Sequence, residues 1–462
     1  MNKHSHTALL WIVAAGFFMQ ALDTTIVNTA LPNMAVAFHV SALDMRPVVV
    51  AYALVMAMLT PASGWLADKF GTRRVYFTAI LIFVLGSLFC ALAHRLDELV
   101  IARVIQGIGG SMLMPIGRLA LLRSVSSEEY IGALAFVSIA GQLGPMLGPV
   151  LGGWFVEAIS WHWIFLINLP IGALGLYAVH RFLPAGSPAE IHPFDFVGFT
   201  LLSVSMASVS LALDCPVDTH RTIISSALFA VFLLTVGLYI VHAQRRRGPL
   251  FELALFRERN FSVGLVGNLV ARVGSSALPF LLPLLLQVQL GYTPLQSGLF
   301  MLPIALVGTV AKRWVTPLIQ RYGYETFLLV NTLIVGASIA SCALISTHWP
   351  LALAVIQLAI FGASNSMQFA AMNSVTLKGL TPAQAGSGNS LFSMIQMLAM
   401  SLGVTIGGSL VGVFAHLFGT TAVGYRLAFA CVGTITLLSA GIFRYLDAPR
   451  VRPMRAPEPV RS

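Results

Sequence analysis

Charge is what this 462-residue chain lacks most: Asp, Glu, Lys and Arg together supply 10% of it, against about 25% in soluble domains. An ordinary water-facing surface is thereby excluded. Lysine occurs only at Lys3, Lys69, Lys312 and Lys378, never after a glycine. The chain therefore has no G-x-x-x-x-G-K-[ST] loop to cradle a nucleotide's phosphates. H-E-x-x-H and G-x-S-x-G are also missing, so neither zinc-protease nor nucleophile-elbow chemistry is expected, and the chain reads as a non-enzyme. The four cysteines, Cys90, Cys215, Cys342 and Cys431, are scattered without metal or redox spacing. Three of them, Cys90, Cys342 and Cys431, sit inside apolar segments and read as small packing residues, and no cofactor or metal is expected.

In place of charge the chain carries 57% hydrophobic residues, in runs that recur from end to end. A bilayer-spanning helix needs roughly 20 apolar residues, whereas a membrane β-barrel would show short alternating segments. The reading is an all-α polytopic membrane protein. The first run, after Lys3, continues through Asp23 without a small-residue cleavage site and reads as a retained helix. The net charge of +10 follows membrane topology and implies no nucleic-acid partner.

The runs predict fourteen spans: 9–31, 48–67, 75–94, 99–122, 131–156, 162–183, 194–214, 222–242, 261–290, 296–316, 326–346, 350–373, 386–415 and 426–446. Basic residues in the connections fall 18 on the side of the termini and four on the other, so both termini are expected in the cytoplasm. The chain also repeats. Shifted by 255 residues, Gly107, Ser111 and Met112 fall on Gly362, Ser366 and Met367, and Gly148, Gly152 and Gly153 on Gly403, Gly407 and Gly408. Two six-helix halves, 1–185 and 259–448, are therefore expected, with two inserted helices and a linker at 186–258 and a cytoplasmic tail at 449–462. Parallel halves with a site at their interface are a known transporter plan.

Inside these spans the few charges stand out. Asp23 interrupts the first apolar run, and an ionisable group there costs several kcal/mol unless it faces protein or a water-filled cavity. Gln20, Thr24 and Asn28 are spaced by four beside it and form a polar stripe. At about 1.5 Å per residue, Asp23 lies roughly 20 Å from the cytoplasmic end of its span, and Arg103 about one turn from the outer end of the fourth. The two reach similar depth. Gln106, Gly107 and Gly110 share the Arg103 face. Burial favours the neutral acid and a guanidinium the carboxylate, so a change in their separation would load or release a proton; the rival reading is that Asp23 only holds helices together through hydrogen bonds. The repeat puts Leu358 opposite Arg103, so the second half has no copy of that cation. There Asn268 and Arg272 share a face near mid-membrane, Asn365 and Gln368 form a stripe on the twelfth span, and Asn389 and Gln396 one on the thirteenth. These are candidate cavity residues with Gln20, Asn28 and Gln106, although the stripes on the twelfth and thirteenth spans read equally well as hydrogen bonds between helices. Lys312, Arg313 and Arg118 read as snorkelling. Glu157 and Asp214 stand near span ends, which leaves Asp23 as the deep acid. Fixed positive charge of this kind suits an organic anion at least as well as a cationic drug.

Several stretches carry a resemblance. GWLADKFGTRR (64–74) places Asp68 between Gly64 and Gly71, which permit tight turns and close approach, and Asp68 can pair with Arg73, Arg74 or a helix N-terminus. It resembles the loop signature of the major facilitator superfamily. Arg103 with Gln106-Gly107-Ile108-Gly109-Gly110 resembles the fourth-helix motif, and Gly144-x-x-x-Gly148-Pro149-x-x-Gly152-Gly153 the fifth-helix antiporter motif. LDTTIVNTALP (22–32) and WIFLINLPIG (163–172) resemble signatures of its fourteen-helix drug:proton antiporter subfamily, although His162 stands where many members have Arg. Read without the family, the glycines four apart are a packing device and Pro145 and Pro149 favour kinks.

The resemblance implies the major facilitator fold, with Asp23 and Arg103 in proton coupling and the loop and glycine residues in gating. It also implies a monomer in the cell inner membrane that handles protons and a small-molecule substrate. The expected activity is proton-coupled export of small amphiphilic molecules, that is multidrug efflux; the alternative is a proton symporter importing an organic anion. One charge moved through 100 mV yields about 2.3 kcal/mol, enough for a concentration ratio of roughly fifty.

Overall fold

The computed structural model describes residues 3–125, 127–183, 193–213, 219–346 and 349–446. Asp214, Cys215 and the tail 449–462 lie outside them. Every regular element among the described residues is helical, as a lipid-embedded backbone that must satisfy its own hydrogen bonds requires. In order they are α1 (Lys3–Ala37), α2 (Arg46–Leu59), α3 (Ser63–Phe70), α4 (Thr72–Ala91), α5 (Leu96–Ser124), α6 (Ser127–Ala158), α7 (Trp163–Leu166), α8 (Asn168–Phe182), α9 (Phe196–Ala212), α10 (Thr219–Arg245), α11 (Arg259–Leu284), α12 (Pro294–Ala311), α13 (Val315–Ser341), α14 (Leu351–Lys378), α15 (Pro382–Phe418) and α16 (Thr421–Ser439).

Local sequence sets the ends. Asp97 and Glu98 open α5 and Arg123 closes it, matching the helix dipole. Thr293-Pro294 and Thr381-Pro382 start α12 and α15 with capping boxes completed by Gln296 and Gln384.

Glycines then set the packing. A Cβ at Gly144, Gly148 or Gly152 of α6 would strike Leu22, Thr25 or Ile26 of α1, and one at Gly403 of α15 would strike Val273 and Ser276 of α11. The early and late helices meet where α6 lies on α12 and α2 on α15. At one end the contact is tight: Gly153 abuts Pro294, Gly298 abuts Pro149, and Arg46 donates to Ser409 Oγ at 2.7 Å. Gln287 also donates to the Thr29 carbonyl at 2.9 Å. We call this the sealed end; the opposite one carries the 64–74 loop.

The fourteen expected spans are not all recovered. Twelve described helical stretches are long and apolar enough to cross a membrane. Phe196–Ala212 has 17 residues and falls just short, and Pro294–Leu344 runs as one 51-residue stretch, although Gly323 breaks it with φ 78° and ψ 165°. α9 lies against α2 and α15, with Ser210 and Ser401 hydroxyls 3.0 Å apart. α10 leaves most of its apolar surface exposed, as a lipid-facing helix does.

Candidate functional site: a buried carboxylate cluster

Burial of Asp23 is complete, at 0% exposure, and that of Arg103 nearly so, at 1%. Arg103 Nη1 donates to Asp23 Oδ2 at 2.6 Å and to Gln106 Oε1 at 2.6 Å. Asp23 Oδ1 accepts from Gln106 Nε2 at 2.7 Å and from Asn168 Nδ2 at 3.4 Å. Both amides also donate to Ser87 Oγ, at 2.7 and 3.3 Å, and the Cys90 thiol donates to Gln106 Oε1 at 3.6 Å. Arg103 Nε reaches the Val48 carbonyl at 3.0 Å, and its guanidinium lies 4.1 Å from the centre of the Tyr52 ring. Removing each ion from water costs several kcal/mol, which only a fully bonded geometry of this kind offsets. Five helices, α1, α2, α4, α5 and α8, converge on it. Gly107 and Gly110 make room: a Cβ at either would press on Tyr52.

Asp23 and Arg103 are thus brought together as depth and spacing imply. Gln106 belongs to this cluster and is wholly buried, so it lines no cavity. Gln20 is likewise buried, its Oε1 accepting the Met114 N–H at 3.2 Å, and Asn28 is buried with its Oδ1 unpartnered among the described residues. Both face helix neighbours because α1 is covered on the side their stripe occupies. Sequence reasoning missed Tyr52, Ser87, Cys90 and Asn168. Cys90 is a hydrogen-bond donor, beyond mere packing. Asn168 stood inside the 163–172 motif and could have been picked out there; Ser87 offered no signal.

The later helices hold a looser set. Arg272 Nε donates to Asn268 Oδ1 at 2.8 Å, and its guanidinium stacks 4.2 Å from the Phe369 ring centre. Gln368 donates to Thr332 at 3.1 Å and Gln396 to Asn373 at 2.8 Å, bonds between helices that leave less of either amide for a substrate. Asn365 is half-buried and Asn389 exposed. Lys312 does not snorkel: its Nζ reaches across to Gln142 of α6 at 3.0 Å. Arg118 is exposed, above the Phe17 ring.

In the 64–74 loop, Asp68 pairs with Arg123 at the end of α5 rather than with Arg73 or Arg74. Arg73 caps the His180 carbonyl, and Arg74 is exposed. Arg123 lies nearer because α5 ends beside the loop, where it also bonds Thr72 at 2.9 Å. Gly71 takes φ 84°, which glycine alone adopts freely. Gly64 has open space around its Cβ position, so no close approach uses it.

A second joint lies at Asp195, ahead of α9. Its carboxylate accepts from the Gly198 N–H (3.0 Å), His242 Nε2 (2.8 Å) and the Leu250 N–H (3.0 Å). Burial pushes its pKa up, but the bonds from Gly198, His242 and Leu250 outweigh it and hold the acid below its ordinary value. At the other end of the molecule, burial and neighbouring His94 lower His162.

Among known proteins, the Major Facilitator Superfamily family model matches residues 13–404. Relatives named "Putative multidrug resistance protein MdtD" from Escherichia coli O1:K1 / APEC and from Citrobacter koseri are each 47% identical over 443 residues, covering 94% of this chain and 93% of theirs. The one from Shigella flexneri is 46% identical over the same coverage. Among solved structures, an auto-inhibited POT family peptide transporter matches with TM-score 0.72 at 15% identity, over 98% of each chain. A D-xylose-proton symporter matches with TM-score 0.69 at 13% identity, over 96% of this chain and 98% of its own; these two show the fold alone. The chain belongs to the major facilitator superfamily, and it is a multi-pass membrane transporter rather than an enzyme.

Proposed function

We propose that this transporter is a proton-coupled exporter, an antiporter of small amphiphilic molecules that works by alternating access in the cell inner membrane. The observation that carries the reading is Asp23: a fully buried carboxylate held by Arg103, Gln106 and Asn168 from two other helices. When α1 and α5 are seated together, the guanidinium and the carboxylate are paired. When the two bodies, 1–185 and 259–448, rock about their interface, the pair parts and the acid takes a proton. The glycine face of α6 supports this, since its smooth contact with α1 and α12 lets helices slide. The relatives' multidrug resistance names support efflux as the direction.

With both termini cytoplasmic, the sealed end is the periplasmic one. We read Pro294–Leu344 as two passes, since Gly323 repeats the backbone break of Gly71, and α9 as a short one. With 186–258 as the inserted pair, the passes number fourteen, in a chain that acts as a monomer. The substrate is taken to favour organic anions: Arg272 and Lys312 stand in the interior with amide and aromatic partners, whereas Asp23 is already committed to Arg103.

Counterflow in vesicles with an imposed pH gradient tests direction and substrate together. Asp23→Asn should abolish the response to the gradient, and fully pH-driven transport in that variant would sink the reading. Arg272→Ala should weaken anionic substrates selectively; strict dependence on cations, unchanged by Arg272→Ala, would remove the anion preference and leave the coupling intact.

A further inference from the structure

Asn168 is fully buried beside Asp23, yet its bonds are the weak ones in the cluster. Its Nδ2 donates at 3.4 Å to Asp23 and at 3.3 Å to Ser87, where Gln106 reaches the same two atoms at 2.7 Å. Among the described residues its Oδ1 has no hydrogen-bond partner, and leaving a buried acceptor empty is costly. An amide is a donor on one side and an acceptor on the other, and a half-turn about the last side-chain torsion exchanges the two.

We propose that Asn168 is the proton-dependent partner of Asp23, donating to the carboxylate and turning over to accept from the carboxylic acid. The reading rests on the proton-coupling proposal above. Protonation takes one proton from water at the opened side and forms the Asp23 O–H bond. The Nδ2–H···Oδ1 contact between the residues breaks, and the acid's O–H donates instead to Asn168 Oδ1. Ser87 Oγ, now accepting from both amides, can then donate its own hydrogen to that oxygen. Gln106 cannot serve in this way, because its Oε1 is already taken by Arg103 and Cys90. The charged and titratable groups turned toward Asp23 are Arg103 of α5, Tyr52 of α2 and Cys90 of α4. Among the described residues, α6, α7, α11 and α12 bring no charged group into hydrogen-bond contact with it. Asn168 is thus the acceptor available to a neutral Asp23 without dismantling the Arg103 contacts.

The test is pH-difference infrared spectroscopy on the purified full-length protein in phospholipid vesicles, with Asp23→Asn assigning the carboxyl band. In Asn168→Leu, which has the size of Asn but neither polar atom, the band's midpoint should move about 1 unit to lower pH, a tenfold change in proton affinity. Its C=O stretch should rise in frequency as the acceptor is lost. Asn168→Ser, whose hydroxyl is too short to reach, should do the same and serves if the leucine variant does not fold. An Asp23-dependent band whose midpoint and frequency are unmoved in both variants overturns the role of Asn168 and leaves proton coupling standing. No Asp23-dependent band in the unaltered protein overturns the coupling reading, and this one with it.

Discussion

The same helix frame occurs twice in this chain, once around a buried charge cluster and once around hydrocarbon. Gly148 of α6 rests on Thr25 and Ile26 of α1, and Gly403 of α15 rests on Ser276 and Ala277 of α11. That pairing sets Ile26 against Ala277, a shift of 251 residues, while α5 and α6 match α14 and α15 at 255. Asp23 then corresponds to Gly274, Arg103 to Leu358 and Gln106 to Phe361. All three counterparts are buried, and Gly274 sits against Thr436 and Val432 of α16 with no room for a side chain. The late helices close their packing without a single charge at these positions. The frame itself can thus be packed without charge at these positions, and whether the first copy also can is open to test, since buried ion pairs are often replaceable by hydrocarbon.

The sharpest way to break this comparison is to convert the first frame into the second. Arg103→Leu alone should leave a buried carboxylate unpaired and cost about 3–5 kcal/mol, read as a large fall in Tm of the purified protein. Asp23→Ala/Arg103→Leu should recover most of that loss and carry no proton. A double variant as unstable as the single one would show that the frame does need the pair. In the second frame, Gly274→Ala should cost about 1–3 kcal/mol by overpacking against the α16 backbone. Gly64→Ala, where the added methyl meets nothing within 4 Å, should stay within about 0.5 kcal/mol.

How much of this was legible beforehand divides by type of signal. Helical rise alone put Asp23 and Arg103 at one depth, because two charges in apolar runs leave few alternatives. Ser87, Cys90 and Asn168 carry no charge, and a small polar residue in a membrane helix reads the same whether it bonds a neighbour's backbone or a carboxylate. The 255-residue repeat showed the lost arginine at Leu358 but not the lost acid at Gly274, since unequal loops move α11 four residues out of register. Spans were legible as apolar runs, and their number was not: nothing in hydropathy says that 17 residues of α9 stop short, or that Gly323 breaks an otherwise unbroken helix.

The joint at Asp195 belongs to neither frame and serves as a control. Asp195→Ala removes a helix cap and should cost about 1–2 kcal/mol, loosening 239–251 to proteolysis while the Arg103 and Gly274 effects stay unchanged. Because its folded pKa lies below the unfolded value of about 3.9, the contribution is fully present above that pH. It is lost as pH falls through the folded value. Loosening that begins at neutral pH in the unaltered protein would refute this.

A small effect on stability is also expected at the turns that enter α4 and the later part of α13. Residues 66–72 (LADKFGT) match 318–324 (LIQRYGY), with Gly71 and Gly323 both at positive φ, 84° and 78°. Gln320 stands for Asp68, and Lys378, the counterpart of Arg123, lies 5.5 Å from the Tyr324 ring centre in place of an ion pair. Asp68 and Arg123 are each more than a third exposed at the side chain, so their pair is worth at most about 1 kcal/mol. Asp68→Gln, copying the second turn, should therefore leave Tm nearly unmoved. If the first turn nevertheless gates transport, the same variant should slow turnover severalfold in vesicles, because a weak bond that must break and re-form in each cycle can matter to rate without mattering to stability. Unchanged turnover would make the two turns equivalent, and the charge difference between the halves would then reside in the Asp23 cluster.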